Sequence, residues 1–117
     1  MKTKEFAAQT GLSAATLRYY EKEGLLRPER NANGYREYGS RDVEWVGFIL
    51  RLKDMGVPLA QIKEYARLRH LGDETIAGRY HILQAHQARL AQQRRQLDEH
   101  WAFLEHKLMW YREKMGK

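Results

Sequence analysis

The sequence predicts a mainly α-helical fold, a winged helix-turn-helix followed by one long coiled-coil helix. Three observations predict it. Two short helical segments flank a glycine turn at Gly11. An Asn33-Gly34 pair then sits between two short polar stretches, as in a hairpin. From Ile76 to Met115, apolar residues recur in 4-3 spacing with no proline. With 117 residues, the expectation is one small domain plus a helical extension. A separate ligand-binding domain would need on the order of 100 residues more.

The elements follow in order. Thr3 to Ala8 reads as a short helix with Phe6 and Ala7 facing inward. Gly11 breaks it, as a residue with positive φ would. Ser13 is placed to cap a second helix running to about Glu23, with Leu17 and Tyr20 on its inner face. Leu12 and Leu17 are expected to fill the angle between the two helices. Leu25-Leu26-Arg27-Pro28 ends the second helix, and the hairpin around Asn33-Gly34 makes a wing. Ser40 is expected to cap a third helix, with Asp42 in its first turn. Its apolar stripe is read as Val43, Val46, Ile49, Leu50 and Leu52. Gly56 stops that helix. Pro58 then opens a fourth as its first helical residue, with Leu59, Ile62 and Ala66 buried. A linker near His70 to Gly72 leads onward.

Gly72 divides two kinds of sequence, so the expected domains are residues 1–70 and residues 73–115. Asp73 is a good N-cap and Glu74 suits the positive end of the helix dipole. The seam runs Ile76, Tyr80, Leu83, Gln87, Leu90, Arg94, Leu97, Trp101, Leu104, Leu108, Tyr111 and Met115. Ten of those twelve are apolar or aromatic, which is the coiled-coil signature. Such a helix is about 60 Å long at roughly 1.5 Å per residue and cannot bury its own stripe. A second copy of the chain is the simplest partner, with Leu83, Leu90, Leu97, Trp101, Leu104 and Leu108 at its centre. The competing reading folds the helix back on residues 1–70.

Composition sets further limits. Lys and Arg number 21 against 15 Asp and Glu, a net charge of +6, which suits a polyanionic partner without requiring one. The absence of cysteine excludes disulfides, thiolate metal sites, iron–sulfur clusters and thiol sensing. No apolar run has the roughly 18 residues of a membrane span and no signal-type stretch opens the chain, so a cytoplasmic protein away from membranes is expected. His81 and His86 are five residues apart and His100 and His106 six, so neither pair shares one helix face as metal ligands do. No metal and no cofactor is expected, and these histidines and His70 are read as solvated. Trp101, Phe103, Trp110 and Tyr111 cluster late, as coiled-coil packing or as the wall of a small aromatic ligand site. No nucleophile–base pair, carboxylate dyad or phosphate loop appears, so no enzyme is expected.

The segment Leu17-Arg18-Tyr19-Tyr20-Glu21 carries the most chemistry. On a helix, Leu17 and Tyr20 point to the core while Thr16, Arg18 and Tyr19 point outward. Arginine pairs with guanine or phosphate, tyrosine hydroxyls reach phosphate, and threonine meets a thymine methyl or a phosphate. Arg36 lies just past the hairpin tip, where it could enter a minor groove, and Tyr38 follows at the wing base.

On these residues the chain resembles the MerR family of transcriptional regulators. The matching residues are Phe6-Ala7, Gly11, Thr16 to Glu21, Gly24-Leu25, Gly34-Tyr35-Arg36, Tyr38, Asp42 and Leu52-Lys53-Asp54-Met55-Gly56. The resemblance is dense through residue 70 and weaker along the long helix, which is similar to the family's antiparallel dimerisation helix. It implies a homodimer on a pseudo-palindromic operator in double-stranded promoter DNA. It also implies that this DNA, whose spacer is over-long, is distorted so that RNA polymerase can read it. The implied DNA-binding residues are Ser13, Thr16, Arg18, Tyr19, Tyr20, Arg36, Tyr38 and Lys53, with Tyr20 mainly a core residue. Length and the Gly72 to Thr75 stretch look most similar to the short aldehyde- and electrophile-responsive branch. That branch places its sensing cysteine in the third helix, where this chain has Arg51. An effector, if there is one, is an unidentified small molecule. Two other readings stay open beside the regulator: an architectural DNA-binding protein of excisionase type, and a coiled-coil scaffold with no DNA role.

Overall fold

A computed structural model describes residues 1–116 and has the expected mainly helical architecture. Helices α1 (Thr3–Thr10) and α2 (Ala14–Lys22) form the helix-turn-helix. Strands β1 (Glu29–Arg30) and β2 (Arg36–Glu37) form the wing. Helices α3 (Ser40–Asp54) and α4 (Leu59–Leu71) follow, and after a 3₁₀ turn at Asp73–Thr75 comes α5 (Ile76–Met115). The chain divides into two compact units, Met1–Tyr80 and the rest of α5 from His81 onward.

Local chemistry accounts for the joints of the first unit. Gly11 adopts φ 76° and its N–H donates to the Ala7 carbonyl at 2.9 Å, closing α1 with the left-handed residue that glycine tolerates. Ser13 Oγ accepts from the Thr16 N–H at 3.1 Å and caps α2. Gly24, at φ 77°, turns the chain so that the Leu25 and Leu26 N–H groups both donate to the Tyr20 carbonyl. Leu25 and Leu26 are thereby driven into a core that also holds Phe6, Leu17, Tyr20, Val46, Ile49, Leu52, Ile62 and Ala66. Each large apolar side chain buried there contributes roughly 1.5–3 kcal/mol.

The wing forms, but not as a two-residue hairpin. β1 and β2 are antiparallel, with Arg30 opposite Arg36, so residues 31–35 are the loop. Asn31 organises it: its Oδ1 accepts from the N–H groups of Asn33 at 2.9 Å and Tyr35 at 3.1 Å. Its own N–H donates to the Tyr35 carbonyl at 2.8 Å. The second strand is tied to the start of the chain, where the Tyr38 N–H donates to the Met1 carbonyl and Lys2 pairs with Glu37 at 2.6 Å.

Several expected details are corrected. Ser40 does not cap α3. Gly39 is the N-cap, and Asp42 Oδ2 accepts the Gly39 N–H at 2.9 Å. The stripe of α3 is Trp45, Val46, Ile49 and Leu52, while Val43 and Leu50 are only half-buried. Trp45 fits the helical period with Ile49 and Leu52, and its Nε1–H donates to the Leu25 carbonyl at 2.6 Å. Pro58 is the N-cap of α4 rather than its first residue, and Leu59 in the first turn is 44% exposed.

Asp73 does not cap the long helix. Instead the Thr75 hydroxyl lies 2.6 Å from the Leu68 carbonyl and 2.7 Å from that of Gly72. Arg79 Nε donates to Thr75 Oγ1 at 3.2 Å, so the turn between α4 and α5 is pinned from both sides. Gly78 permits the close approach there, since a Cβ would sit 3.3 Å from Leu68 Cδ1.

In the unit from His81 onward, the expected seam is largely open. Leu97, Trp101, Leu104 and Leu108 are all exposed, Trp101 by 71%, while Leu83 and Leu90 are half-buried. The late histidines are not all solvated: His86 is buried and His70, on α4, is half-buried.

Candidate nucleic-acid interface

The helix-turn-helix presents α2 with one face buried and one open. Leu17 and Tyr20 are buried, whereas Arg18 and Tyr19 are exposed, Tyr19 by 45%. Arg18 makes no ion pair among the described residues. At the N-terminal end of α2, Ser13 and Thr16 are joined hydroxyl to hydroxyl at 3.0 Å. Ser13 is therefore occupied as a cap while it sits at the edge of this face.

Lys53, near the end of α3, reaches the same side. Its Nζ lies 3.5 Å from the Tyr20 hydroxyl and 5.7 Å from the centre of that ring. Tyr20 is itself only 2% exposed, so its hydroxyl meets Lys53 at the margin of the core. Tyr19, Tyr20 and Lys53 line one cavity between α2, α3 and α4.

Glu21 connects the wing to α2. Its carboxylate accepts from Arg36 Nε at 2.6 Å and from Arg30 at 3.3 Å. This bond with Glu21 raises the Arg36 pKa above its ordinary value. Arg30 also donates to the Gly34 carbonyl at 3.0 Å, which holds the wing tip. Arg36 is therefore shared between the wing and α2, not wholly free for a ligand. Tyr38 lies elsewhere: its ring is only 4% exposed and stacks on Phe6 with centroids 4.1 Å apart. The expectation that Tyr38 offers its side chain at the wing surface is corrected, because the ring completes the core between the wing and α1.

Two residues of this surface escape the sequence pattern. Tyr35 is 65% exposed at the wing tip, with Lys2 Nζ 5.9 Å from its ring centre. An aromatic directly after an Asn-Gly turn is the signal that could have marked it. Glu21 reads only as one more helical carboxylate until the hairpin brings two arginines to it.

His70, near the end of α4, is half-buried. Burial, together with the Arg27 and Arg69 guanidinium groups, pushes its pKa down. Arg69 itself stacks on Trp45, 4.2 Å from the ring centre. Among the described residues no group of three or more His, Asp or Glu could hold a metal ion, and no helix is long and apolar enough to cross a membrane.

The family described as MerR HTH family regulatory protein matches residues 1–68, over half of the chain. The chain belongs to the MerR family. A second match, described as MerR, DNA binding, covers residues 43–106. The HTH-type transcriptional regulator AdhR of Bacillus subtilis is 40% identical over 91 residues, which are 77% of this chain and 65% of AdhR. The chain thus spans just under two thirds of AdhR. An uncharacterised HTH-type transcriptional regulator of Haemophilus influenzae is 34% identical over 93% of this chain and 82% of its own length. Among solved structures, HiNmlR, a MerR family regulator lacking the sensor domain and bound to promoter DNA, superposes with a TM-score of 0.74. It shares 33% identity over 96% of this chain and 90% of its own. This MerR protein is a DNA-binding transcriptional regulator.

Proposed function

We propose that this MerR protein binds a pseudo-palindromic operator as a homodimer and distorts promoter DNA with an over-long spacer to control transcription. In this reading residues 1–70 hold the DNA and residues 73–115 pair antiparallel with a second copy. Arg18 and Thr16 meet base edges or phosphates, and Ser13 and Tyr19 meet the backbone. Lys53 and the Tyr20 hydroxyl grip one phosphate together. Arg36 acts from the wing while Glu21 steadies it, and Tyr38 supports the wing from the core. Leu83, Leu90, Leu97, Trp101, Leu104 and Leu108 form the centre of the dimer seam.

The observation that carries this reading is the pairing of two unsatisfied surfaces in one chain. One is the Arg18–Tyr19 face of α2, and the other is the open seam from Leu97 to Leu108. A long helix with that much apolar surface in water is costly, and a second copy covers it without any further partner. Two recognition helices held at fixed separation then read two half-sites about one helical turn apart. Bending and untwisting the DNA between them costs on the order of 1–6 kcal/mol, offset by the additional contacts. RNA polymerase at the same promoter is the partner on which such distortion acts.

The test is footprinting of the purified protein on the intergenic DNA upstream of its own gene. The expected result is one protected pseudo-palindrome between promoter elements set too far apart, with altered cleavage at its centre. Uniform coating of the DNA would instead point to an architectural role, and a lack of any protection would leave the operator reading without support.

A further inference from the structure

The seam of α5 can be laid on a second copy in several ways, and the charges in and beside it discriminate among them. Arg94 and Asp98 lie four residues apart, both exposed, and neither makes an ion pair among the described residues. An arginine in an apolar stripe is costly to cover unless the covering surface brings a counter-ion. Parallel in-register pairing would set Arg94 level with Arg94 of the partner subunit, like charge against like charge. Antiparallel pairing admits one alignment that leaves no seam residue bare. With a two-fold axis between residues 95 and 96, Arg94 lies level with the partner's Leu97, Leu90 with the partner's Trp101 and Leu83 with the partner's Leu108. The same alignment carries outward until Ile76 and Met115, both exposed, cover each other at the two ends. Sliding the pairing by one heptad uncovers Tyr111 and Met115 in one direction, and Ile76 and Tyr80 in the other.

The flanking charges select the same alignment. At about 100° per residue, Asp98 sits roughly 40° further round α5 than Arg94, beside the seam on its Arg94 side. A two-fold axis across the helices turns that flank toward the same flank of the other copy, so the partner's Asp98 comes level with residue 93, next to Arg94. Ala91 is the flank residue opposite it, and its small side chain leaves room for the guanidinium group. A heptad slide would bring the partner's Ala91 or the partner's Glu105 there instead. Alanine carries no charge, and Glu105 is already held by Arg112 of its own chain at 2.8 Å. We propose that two copies of α5 pair in this single alignment, fixed by two ion pairs astride the axis, each from Arg94 of one copy to Asp98 of the other. The proposal rests on the homodimer reading and adds a rule of partner choice to it. A chain joins this one only if it offers a carboxylate where Asp98 stands and a cation where Arg94 stands.

The chain has no cysteine, so introduced cysteines report the alignment without background. In the full chain under mild oxidation, Leu90→Cys combined with Trp101→Cys should give a covalent dimer, and Leu90→Cys alone should not. Leu83→Cys with Trp101→Cys, and Leu90→Cys with Leu108→Cys, match the two heptad slides and should stay unlinked. Linking of either slid pair or of the single variant, or no linking of the first pair, overturns the alignment. The charge rule is read by mixing. Arg94→Glu and Asp98→Arg each set like charges together, so each variant alone should dimerise at least roughly tenfold more weakly than the wild type in sedimentation. Mixed in equal amounts they restore both ion pairs, and heterodimers should exceed the half expected of random pairing. Recovery on mixing also excludes misfolding as the cause of the weakening. Random pairing in the mixture, or variants as dimeric as the wild type, overturns the rule. A monomeric wild type removes the homodimer reading and this alignment together, whereas a dimer linked in another alignment overturns this inference alone.

Discussion

Arg18 and Arg36 are both arginines on the proposed DNA surface, yet their situations differ. Among the described residues Arg18 makes no ion pair, whereas Arg36 spends its Nε on Glu21 at 2.6 Å. Arg18→Ala should therefore leave the melting temperature unchanged while weakening specific operator binding by about 1–3 kcal/mol. Arg36→Ala should lower both, its stability loss being no more than about 1 kcal/mol because the pair is partly exposed. Calorimetry and operator titration on the two variants check this, and equal effects on stability would sink the distinction. The side of α2 that Arg18 occupies is legible from the sequence, because helical period alone assigns it. The bond to Glu21 is not legible, because it depends on a hairpin folding back across fifteen residues. Tyr38 illustrates the same limit: the sequence reads it as a wing contact, and the stacking of its ring on Phe6 places that ring in the core. His70 yields a prediction of a different kind. Its burial, and then the neighbouring Arg27 and Arg69, lower its pKa in the folded state, so the unfolded chain takes up the proton first. Stability should fall as pH drops through about 6.5, and level off once the folded ring is protonated as well. Chemical denaturation at pH 7.5 and 5.5 should show this loss, and His70→Gln should reduce it; identical pH slopes for the two proteins would refute the assignment.

At the scale of elements, what the sequence states well is where helices begin and stop, and what it states poorly is which residue does the capping. Ser40 looks like the cap of α3, but the chain enters from an extended Gly39 and the bond is supplied by Asp42 from inside the first turn. Asp42→Ala should accordingly cost about 1 kcal/mol, within the usual range for losing a cap, and Ser40→Ala should cost far less. Denaturant midpoints of the two variants decide between them. Asn33-Gly34 similarly marks the wing correctly but not its construction, since the loop is organised by the Asn31 side chain accepting two backbone N–H groups. The α3 stripe shows the same kind of local degeneracy, its buried residues being Trp45, Val46, Ile49 and Leu52. Trp45 and Val46 are consecutive, about 100° apart on the helix, so both fit an inner face, and the buried indole N–H is tolerated only because another element supplies the Leu25 carbonyl. Trp45→Phe keeps most of the apolar volume and leaves that carbonyl unpaired, so a loss of about 1–3 kcal/mol is expected in the same denaturation assay.

For the whole molecule, the question is what an open apolar seam does for a regulator. The 4-3 spacing is legible from the sequence because a heptad repeat is a one-dimensional pattern, and the helix it predicts is present from Ile76 to Met115. What a pattern in one chain does not carry is the identity of the surface that covers it. The physical argument is that Leu97 and Trp101, exposed by 67% and 71%, are among the largest apolar groups left in water by this chain. If a second copy covers them, a charge placed at either position is buried against apolar neighbours without a counter-ion, which is strongly unfavourable. Leu97→Arg and Trp101→Arg should each convert the dimer to a monomer in sedimentation experiments while the helix-turn-helix stays folded. Operator binding should then collapse, because two half-site contacts held at fixed spacing become two independent weak ones. The two readouts are linked in one direction only. A variant that remains dimeric shows that the seam lies elsewhere, whereas a folded monomer that still grips the full operator tightly shows that DNA recognition does not depend on the pairing of α5.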